Sequence, residues 1–228
     1  DIQGIIRQEP DAFLCKRIIV CEGKTEIGIL RAFDSYLYDT QIVRFAHFGV
    51  GTAYGGGGDK FFTIAKLLKK CGYDVCIFMD SDLSFEEVGK QEARSIGIPV
   101  FSWDSGFSIE EQIFHDFFID TAEKLIAYAC EEKTFDHVIG KLNQKFNGDD
   151  KPHFIQEGEI KLKDSIRVDQ LTAIGTIAKD KRNEWFKRID RGQCVGEIIF
   201  EDYSELDKDT NFKKTMTAMQ NWVIGHEG

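Results

Sequence analysis

Two pairs of acidic residues have the spacing of ligands to a divalent cation. Glu22 and Glu26 lie four residues apart, so their carboxylates can reach the same side of a predicted helix start, where Gly23 allows a tight turn. Asp80 and Asp82 lie two apart after an apolar run, and in extended backbone such residues point the same way. Hard cations such as Mg²⁺ take oxygen ligands of this kind. Each pair also has a simpler explanation when it is considered alone. A helix N-terminus favours acidic residues such as Glu22 and Glu26, and a turn commonly contains aspartates such as Asp80 and Asp82.

A third acidic element is the segment Ser108-Ile109-Glu110-Glu111, which opens a predicted helix. Ser108 and Glu110 could add oxygen ligands if the fold brings them beside the first two motifs. The alternative is a capping arrangement, in which Ser108 caps the helix and acidic residues occupy its first turn. The segment by itself fits either interpretation.

A basic stretch in the second half supplies positive charge for a phosphate. Lysine and arginine bind backbone phosphates without reading sequence, and a lysine near bound metals could stabilise the charge on a scissile phosphate. Lys181 and Lys187 both fit that role, and a solvated helix face is the alternative. The stretch contains these basic residues: Lys179, Lys181, Arg182, Lys187, Arg188 and Arg191.

The acidic motifs follow segments that read as strands, and the strands alternate with helices. That alternation predicts an α/β domain with a roughly four-stranded, mainly parallel sheet, in which ligands bind at the carboxyl ends of the strands. The predicted strands are Arg17–Cys21, Ile42–Phe48, Asp74–Met79 and Ile98–Trp103. The predicted helices are Thr25–Leu37, Lys60–Lys70, Phe85–Ser95 and one that runs from Ser108 towards Cys130.

The second half lacks a repeated strand pattern and reads as a mostly helical extension. Its predicted helices are Asp136–Phe146, Val168–Lys179, Asn183–Ile189 and Asn211–Val223. We therefore divide the chain into a linker over residues 1–14, a catalytic core over 15–130, and a helical extension over 131–228 that carries the candidate lysines. Because the first residue is Asp1, we expect the chain to be a piece of a longer protein.

The composition excludes several classes of protein. A net charge of −10 and a pI near 5.1 argue against a passive nucleic-acid binder, which normally has a basic face. Clustered carboxylates that bind cations remain compatible with this charge. No apolar stretch is long enough to predict a membrane span, and no signal peptide is visible. Six cysteines without C-x-x-C or zinc spacing indicate reduced thiols in a cytoplasmic protein.

Taken together, the motifs resemble those of the Toprim domain, which topoisomerases, DnaG-type primases and OLD-family (overcoming lysogenization defect) nucleases share. The segment from Lys16 to Glu26 looks like the first OLD motif, including its second glutamate. Ser108-Ile109-Glu110 is similar to the Ser-x-Glu element of that family, and Glu184-Trp185-Phe186-Lys187 resembles the region that carries its catalytic lysine. The resemblance covers Lys16 to about Asp116, and the helical half more loosely.

This resemblance implies a metal-dependent endonuclease with two Mg²⁺ or Mn²⁺ ions. It assigns Glu22 and Glu26 to one ion, and it assigns the other ion to these residues: Asp80, Asp82, Ser108 and Glu110. Lys187 or Lys181 would stabilise the charge on the phosphate. The implied partners are DNA, with RNA left open, and an ABC-type ATPase domain or subunit of an anti-phage defence protein. We expect no membrane partner, and self-association into a homo-oligomer stays open.

Two other functions remain open at this point. Asp80, directly after a buried strand, could form an acyl-phosphate in a phosphotransferase or phosphatase, although Glu22 and Glu26 would then have no role. Alternatively, the acidic core could be a non-catalytic assembly module that a metal only stabilises, with the helical half and Trp222 as a partner surface.

Overall fold

Four parallel strands form a sheet in the first half of the chain. The computed structural model describes residues 7, 10–40, 42, 44–81, 86–103, 106–156 and 159–225. The strands are β1 (Arg17–Cys21), β2 (Val50–Tyr54), β3 (Asp74–Phe78) and β4 (Val100–Phe101), in the order β2-β1-β3-β4. Because Cys21 pairs with Tyr54 and Phe78, and Phe78 pairs with Phe101, all four carboxyl ends lie at one edge.

Helices connect the strands and make up most of the second half. The first three are α1 (Lys24–Asp39), α2 (Lys60–Lys70) and α3 (Glu86–Ser95). The remaining helices are α4 (Ile109–Asp116), α5 (Ile119–Glu132), α6 (Phe135–Lys145), α7 (Val168–Lys179), α8 (Ile189–Glu201) and α9 (Asn211–Ile224). The predicted α/β class, a four-stranded parallel sheet with a mostly helical C-terminal region, is confirmed.

Alternate residues of β1 enter two different hydrophobic clusters, one on each face of the sheet. Ile18 and Val20 pack in a cluster with the buried residues of α2. Ile19 and Cys21 face a larger cluster that includes α1 and residues from most of the helices that follow β4. With both faces covered, β1 is a fully buried parallel strand, as its uninterrupted apolar run predicts.

The second strand was predicted at the wrong residues. The apolar run at 42–48 was taken as the strand, but Phe45–Phe48 forms a 3₁₀ helix, and β2 follows it. The backbone N–H of Phe45 bonds the Asp34 carboxylate, and Gly49 then takes a left-handed conformation with φ 66°. A side chain at Gly51 would come 2.7 Å from the sulfur of Cys15, so a larger residue at this strand position requires the Cys15 side chain to move.

The single helix predicted from Ser108 to Cys130 is also wrong, because α4 and α5 are separate. Phe117 interrupts it in extended backbone and packs edge-on against Phe212, with 5.1 Å between ring centroids. The neighbouring Asp116 carboxylate accepts hydrogen bonds from the Phe212 backbone and from Gln112. Contacts with α9, about a hundred residues away, therefore decide where α4 ends.

Two further differences are smaller. The fourth strand was predicted as Ile98–Trp103, but β4 has only two residues. An antiparallel hairpin of β5 (His153–Gln156) and β6 (Glu159–Leu162) lies in the half predicted to be helical. The structure gives no disulfide among the six cysteines, all of which lie in its described part. Among the described helices, none is both long enough and apolar enough for a membrane span.

Candidate active site

Glu22 and Asp80 meet where two neighbouring strands end. Glu22 directly follows β1, and Asp80 lies two residues after β3, which pairs with β1. The Asp80 backbone N–H donates to Oε2 of Glu22 at 3.2 Å, and the Glu22 N–H donates to the carbonyl of Phe78 at 3.0 Å. The strand register thus brings the first two acidic motifs together at the carboxyl edge of the sheet.

A cavity of about 410 Å³ opens at this edge and brings together most of the predicted site residues. Its walls combine carboxylates from the sheet edge and α4 with lysines from the end of α7 and the loop after it. The lining residues are Glu22, Asp80, Ser108, Glu110, Thr176, Lys179, Asp180, Lys181 and Lys187. Two larger clefts, of about 940 and 550 Å³, contain none of the predicted site residues.

Glu26 lies behind this cavity, in the first turn of α1, and only 4% of it is exposed. Its carboxylate covers Gly23, where a side-chain Cβ would come 2.5 Å from the Glu26 oxygen. Burial, together with the charges of Glu22 and Glu110, raises the pKa of Glu26 to about 8, although Lys187 opposes the shift. An acid held this way is stabilised in its ionised form by a nearby cation.

Ser108 and Glu110 enter the site from the start of α4. The Ser108 hydroxyl accepts from the Glu111 N–H, and the Glu111 carboxylate accepts from the Ser108 N–H, so the capping interpretation is confirmed. Glu110 is 3% exposed, and burial raises the pKa of its carboxyl group. The positive charges of Lys187 and Lys179 partly offset this increase. Capping and cavity lining therefore coexist in this segment, because Ser108 and Glu110 also line the cavity.

The basic stretch separates into paired and unpaired residues. Four of its six members form ion pairs with carboxylates: Lys179 with Glu111, Arg182 with Asp180, Arg188 with Asp190, and Arg191 with Glu132. Within the described part of the chain, Lys181 and Lys187 form no ion pair within 4 Å. Both are exposed and line the cavity, so these two lysines are the ones left for an anionic ligand.

The helix predicted at residues 183–189 is wrong, because this segment is an irregular loop before α8. Glu184 has a left-handed backbone with φ 40°, and the Trp185 N–H bonds the carbonyl of Ala178. Trp185 and Phe186 are 0% and 2% exposed, so two buried aromatic rings anchor the loop directly before Lys187. Aromatic burial here overrides the helical propensity of the segment.

Close packing between α1 and α8 sets Lys187 near the first acidic motif. A Cβ at Gly28 would overlap the backbone of Ile189 and Gln193, and one at Gly192 would lie 2.5 Å from the carbonyl of Thr25. The Thr25 hydroxyl also donates to the carbonyl of Phe186 at 3.3 Å. Glycines thus allow the backbones of the two helices to touch, beside the loop that carries Lys187.

A glycine loop follows β2 at the same edge of the sheet. Gly56, Gly57 and Gly58 all have positive φ, between 60° and 86°, and the Gly57 N–H donates to the carbonyl of Glu22 at 3.2 Å. The loop is therefore tied to the residue that ends β1.

The donor chemistry of the cluster fits a hard divalent cation, because the described candidates supply only oxygen atoms. The Ser81 hydroxyl, next to Asp80, is buried and has no hydrogen-bond partner among the described residues. Asp82, the second acid of its motif, lies outside the described residues. Within the described ranges, no three His, Cys, Asp or Glu side chains already form a metal-binding group.

Sequence reasoning missed three members of the cavity, Thr176, Lys179 and Asp180, and one of its neighbours, Glu111. Lys179 and Thr176, both on α7, line the cavity and bond the carboxylate of Glu111 on α4. Lys179 was recognised only as one of several basic residues, and Glu111 only as a helix-capping acid. The spacing of Thr176 and Lys179, three apart near the end of a predicted helix, was the available signal, since such residues share a helix face.

Comparison with protein families gives a match over residues 13–82 to the model described as overcoming lysogenization defect protein-like, TOPRIM domain. The matched segment runs through the first three strands and includes Glu22, Glu26, Asp80 and Asp82; Ser108, Glu110 and the candidate lysines lie outside it. Searches of curated proteins and of solved structures gave no match. This match supports an OLD-like Toprim domain, a type of metal-binding domain that processes nucleic acids, in the part of the chain that contains residues 13–82.

Proposed function

We propose that this chain is a divalent-metal-dependent endonuclease that nicks or cleaves DNA. The observation that carries the proposal is the cavity in which Glu22, Asp80 and Glu110 face Lys181 and Lys187. Carboxylates on one side suit cations, and unpaired lysines on the other suit a phosphate. The OLD-like Toprim match gives independent support, because Toprim domains are typically catalytic domains of the nuclease and primase type.

In this proposal the acids hold two Mg²⁺ or Mn²⁺ ions. Glu22 and Glu26 serve one ion, and the other is held by Asp80, Asp82, Ser108 and Glu110. When bound, the ions supply an activated water and stabilise the leaving oxygen of a phosphodiester. Burial of Glu26 and Glu110 keeps bulk water away from their carboxylates, which strengthens their attraction to a cation.

Lys187 is the lysine that we assign to the scissile phosphate. Its charge acts on both Glu26 and Glu110, and two buried aromatic residues hold its backbone. An ammonium group near the acids donates hydrogen bonds to a non-bridging phosphate oxygen as negative charge grows there. Lys181 also lines the cavity, but no buried aromatic residues directly precede it. We assign it to a neighbouring phosphate of the same DNA strand.

The experiment that tests this function compares plasmid cutting and melting of the same protein. Supercoiled DNA and a labelled RNA are incubated with the protein in Mg²⁺, in Mn²⁺ and in EDTA. Cutting of DNA in Mg²⁺ or Mn²⁺ but not in EDTA supports the proposal. Stabilisation by metal without cutting would favour the assembly module. Trapping of a phosphate-mimicking fluoride on Asp80 would favour the phosphotransferase.

On the OLD-like match alone, we also propose an ABC-type ATPase domain or subunit as partner and a role in defence against phage. ATP-dependent stimulation of cutting when the ATPase is added tests this part separately.

A further inference from the structure

Helices α4 and α7 touch backbone to backbone at Glu110, which lines the cavity, and at Glu111 beside it. A Cβ placed on Gly175 of α7 would lie 2.6 Å from the Cα of Glu111 and 2.8 Å from the carbonyl oxygen of Glu110. These distances are shorter than atoms without a bond between them tolerate, so only glycine permits this approach. The position of Glu110 is thus tied to that of α7.

The carboxylate of Glu111 fastens the same contact with two hydrogen bonds from α7, and it accepts two more from Ser108 at the start of its own helix. Its Oε1 accepts from Thr176 at 2.8 Å, and its Oε2 accepts from Lys179 at 2.7 Å. Oε2 also accepts from the N–H and the hydroxyl of Ser108, at 3.0 and 3.2 Å. Only 10% of the Glu111 side chain is exposed, so the ion pair with Lys179 is better shielded than a surface pair.

We propose that Glu111 and Lys179 are positioning residues, which fix Glu110 for metal binding by clamping the start of α4 to the end of α7. The inference rests on the proposed function, in which Glu110 is a metal ligand. Groups that orient a ligand without touching the metal commonly change metal affinity roughly 10- to 100-fold when removed. Both oxygens of Glu111 are already bonded to α7 or Ser108, so we assign it no metal ion.

The charge of Lys179 allows a positioning role to be separated from simple electrostatics. Lys179→Met removes a positive charge near the acids, so electrostatics alone would strengthen binding of a cation. Loss of the clamp would weaken binding instead. We expect the Mn²⁺ dissociation constant, measured by electron paramagnetic resonance, to rise roughly 10-fold or more in Lys179→Met. Lys179→Arg keeps the ion pair and should recover most of the affinity.

A neutral change tests the same clamp by geometry. Gly175→Ala should push α7 from α4 and weaken Mn²⁺ binding in the same direction. Gly140→Ala is the matched control, because Gly140 lies within α6 and its added methyl group meets no atom within 4 Å. Lys124→Met is the second control, since Lys124 forms a 2.7 Å ion pair with Glu201 away from the cavity.

The outcomes distinguish the clamp from the nuclease. Weaker Mn²⁺ binding in both Lys179→Met and Gly175→Ala, with unchanged binding in the controls, supports the clamp. This holds even if the wild-type protein cuts no DNA, because a lack of cutting would refute only the nuclease. Wild-type or tighter Mn²⁺ binding in Lys179→Met overturns the clamp, and so does an absence of Mn²⁺ binding by the wild-type protein. Should Gly175→Ala fail to fold, as judged by circular dichroism, Lys179→Met alone decides.

Discussion

The carboxylate of Glu22 accepts a hydrogen bond from the backbone N–H of Asp80, 58 residues further along the chain, at 3.2 Å. The contact exists because β1 and β3 are neighbours in a parallel sheet and end at the same level. It joins the two acidic motifs at the edge where open α/β sheets bind ligands.

Replacing Lys187 should harm cutting far more than replacing Lys181. Removal of one group that stabilises transition-state charge typically costs about 10²–10³ in rate, and we expect a loss of this order for Lys187→Met. Lys181→Met should lose less than about 10-fold, because a contact to a neighbouring phosphate mainly positions the strand. Single-turnover cleavage of a plasmid in Mn²⁺ measures both variants.

Melting serves as the control for this comparison. Both lysines are exposed and form no ion pair among the described residues, so neither change should lower the melting temperature appreciably. Equal losses in the two variants, or a larger loss in Lys181→Met, would contradict the assignment of Lys187 to the scissile phosphate.

Glu26 should make the metal-free protein less stable as the pH rises. Its pKa is about 8 when folded and 4.5 in the reference state, so the unfolded chain releases a proton that the folded protein retains. The stabilisation is fully present below pH 4.5 and is lost as the pH rises through 8. At pH 9 in EDTA, Glu26→Gln should be more stable than wild type by on the order of a few kcal/mol.

Urea unfolding of both proteins in EDTA between pH 5 and 9 measures this difference. The two stabilities should be closest at the acidic end, where Glu26 carries a proton and resembles glutamine in charge. Curves that stay parallel over the whole range would show that Glu26 is not a buried acid with a raised pKa.

Gly28→Ala should disturb both stability and activity, because the added methyl group would overlap the start of α8. Overpacking of this kind typically costs about 1–3 kcal/mol. The displaced α8 should also move Lys187, so cutting should fall under conditions in which the variant remains folded. Urea unfolding and the plasmid assay measure the two effects.

Gly140→Ala provides the comparison for Gly28→Ala, since it makes the same change within a helix but in open space. It should stabilise the protein slightly, by up to about 1 kcal/mol, and leave cutting unchanged. If the two variants behave alike, close packing of α1 on α8 does not position the lysine.

The parts of the fold that the sequence predicted well are those with strong local patterns. The bounds of β1, α2 and α7 agree with the predictions, because each has a clear apolar pattern and distinct ends. Distant contacts decided the rest. Asp34 and Gly49 convert the apolar run at 42–48 into a 3₁₀ helix and a turn, and Phe212 ends α4, which no local pattern reveals.

The candidate site divides in the same way. Glu22, Asp80 and Glu110 could be predicted to converge, because each follows a predicted strand and parallel strands end at one edge. The choice between Lys181 and Lys187 could not be made from sequence, since it depends on burial of Trp185 and Phe186. The roles assigned to these residues remain predictions.

The most direct measurement of the central claim is metal-dependent nicking by Asp80→Asn. This change keeps the size of the side chain and the backbone N–H that bonds Glu22, but it removes the charge that the proposed ion requires. Asp136→Asn, at an exposed position of α6 outside the cavity, is the matched control. Loss of Mg²⁺- and Mn²⁺-dependent nicking in Asp80→Asn alone is the predicted result, and undiminished nicking by a folded Asp80→Asn protein would contradict the account.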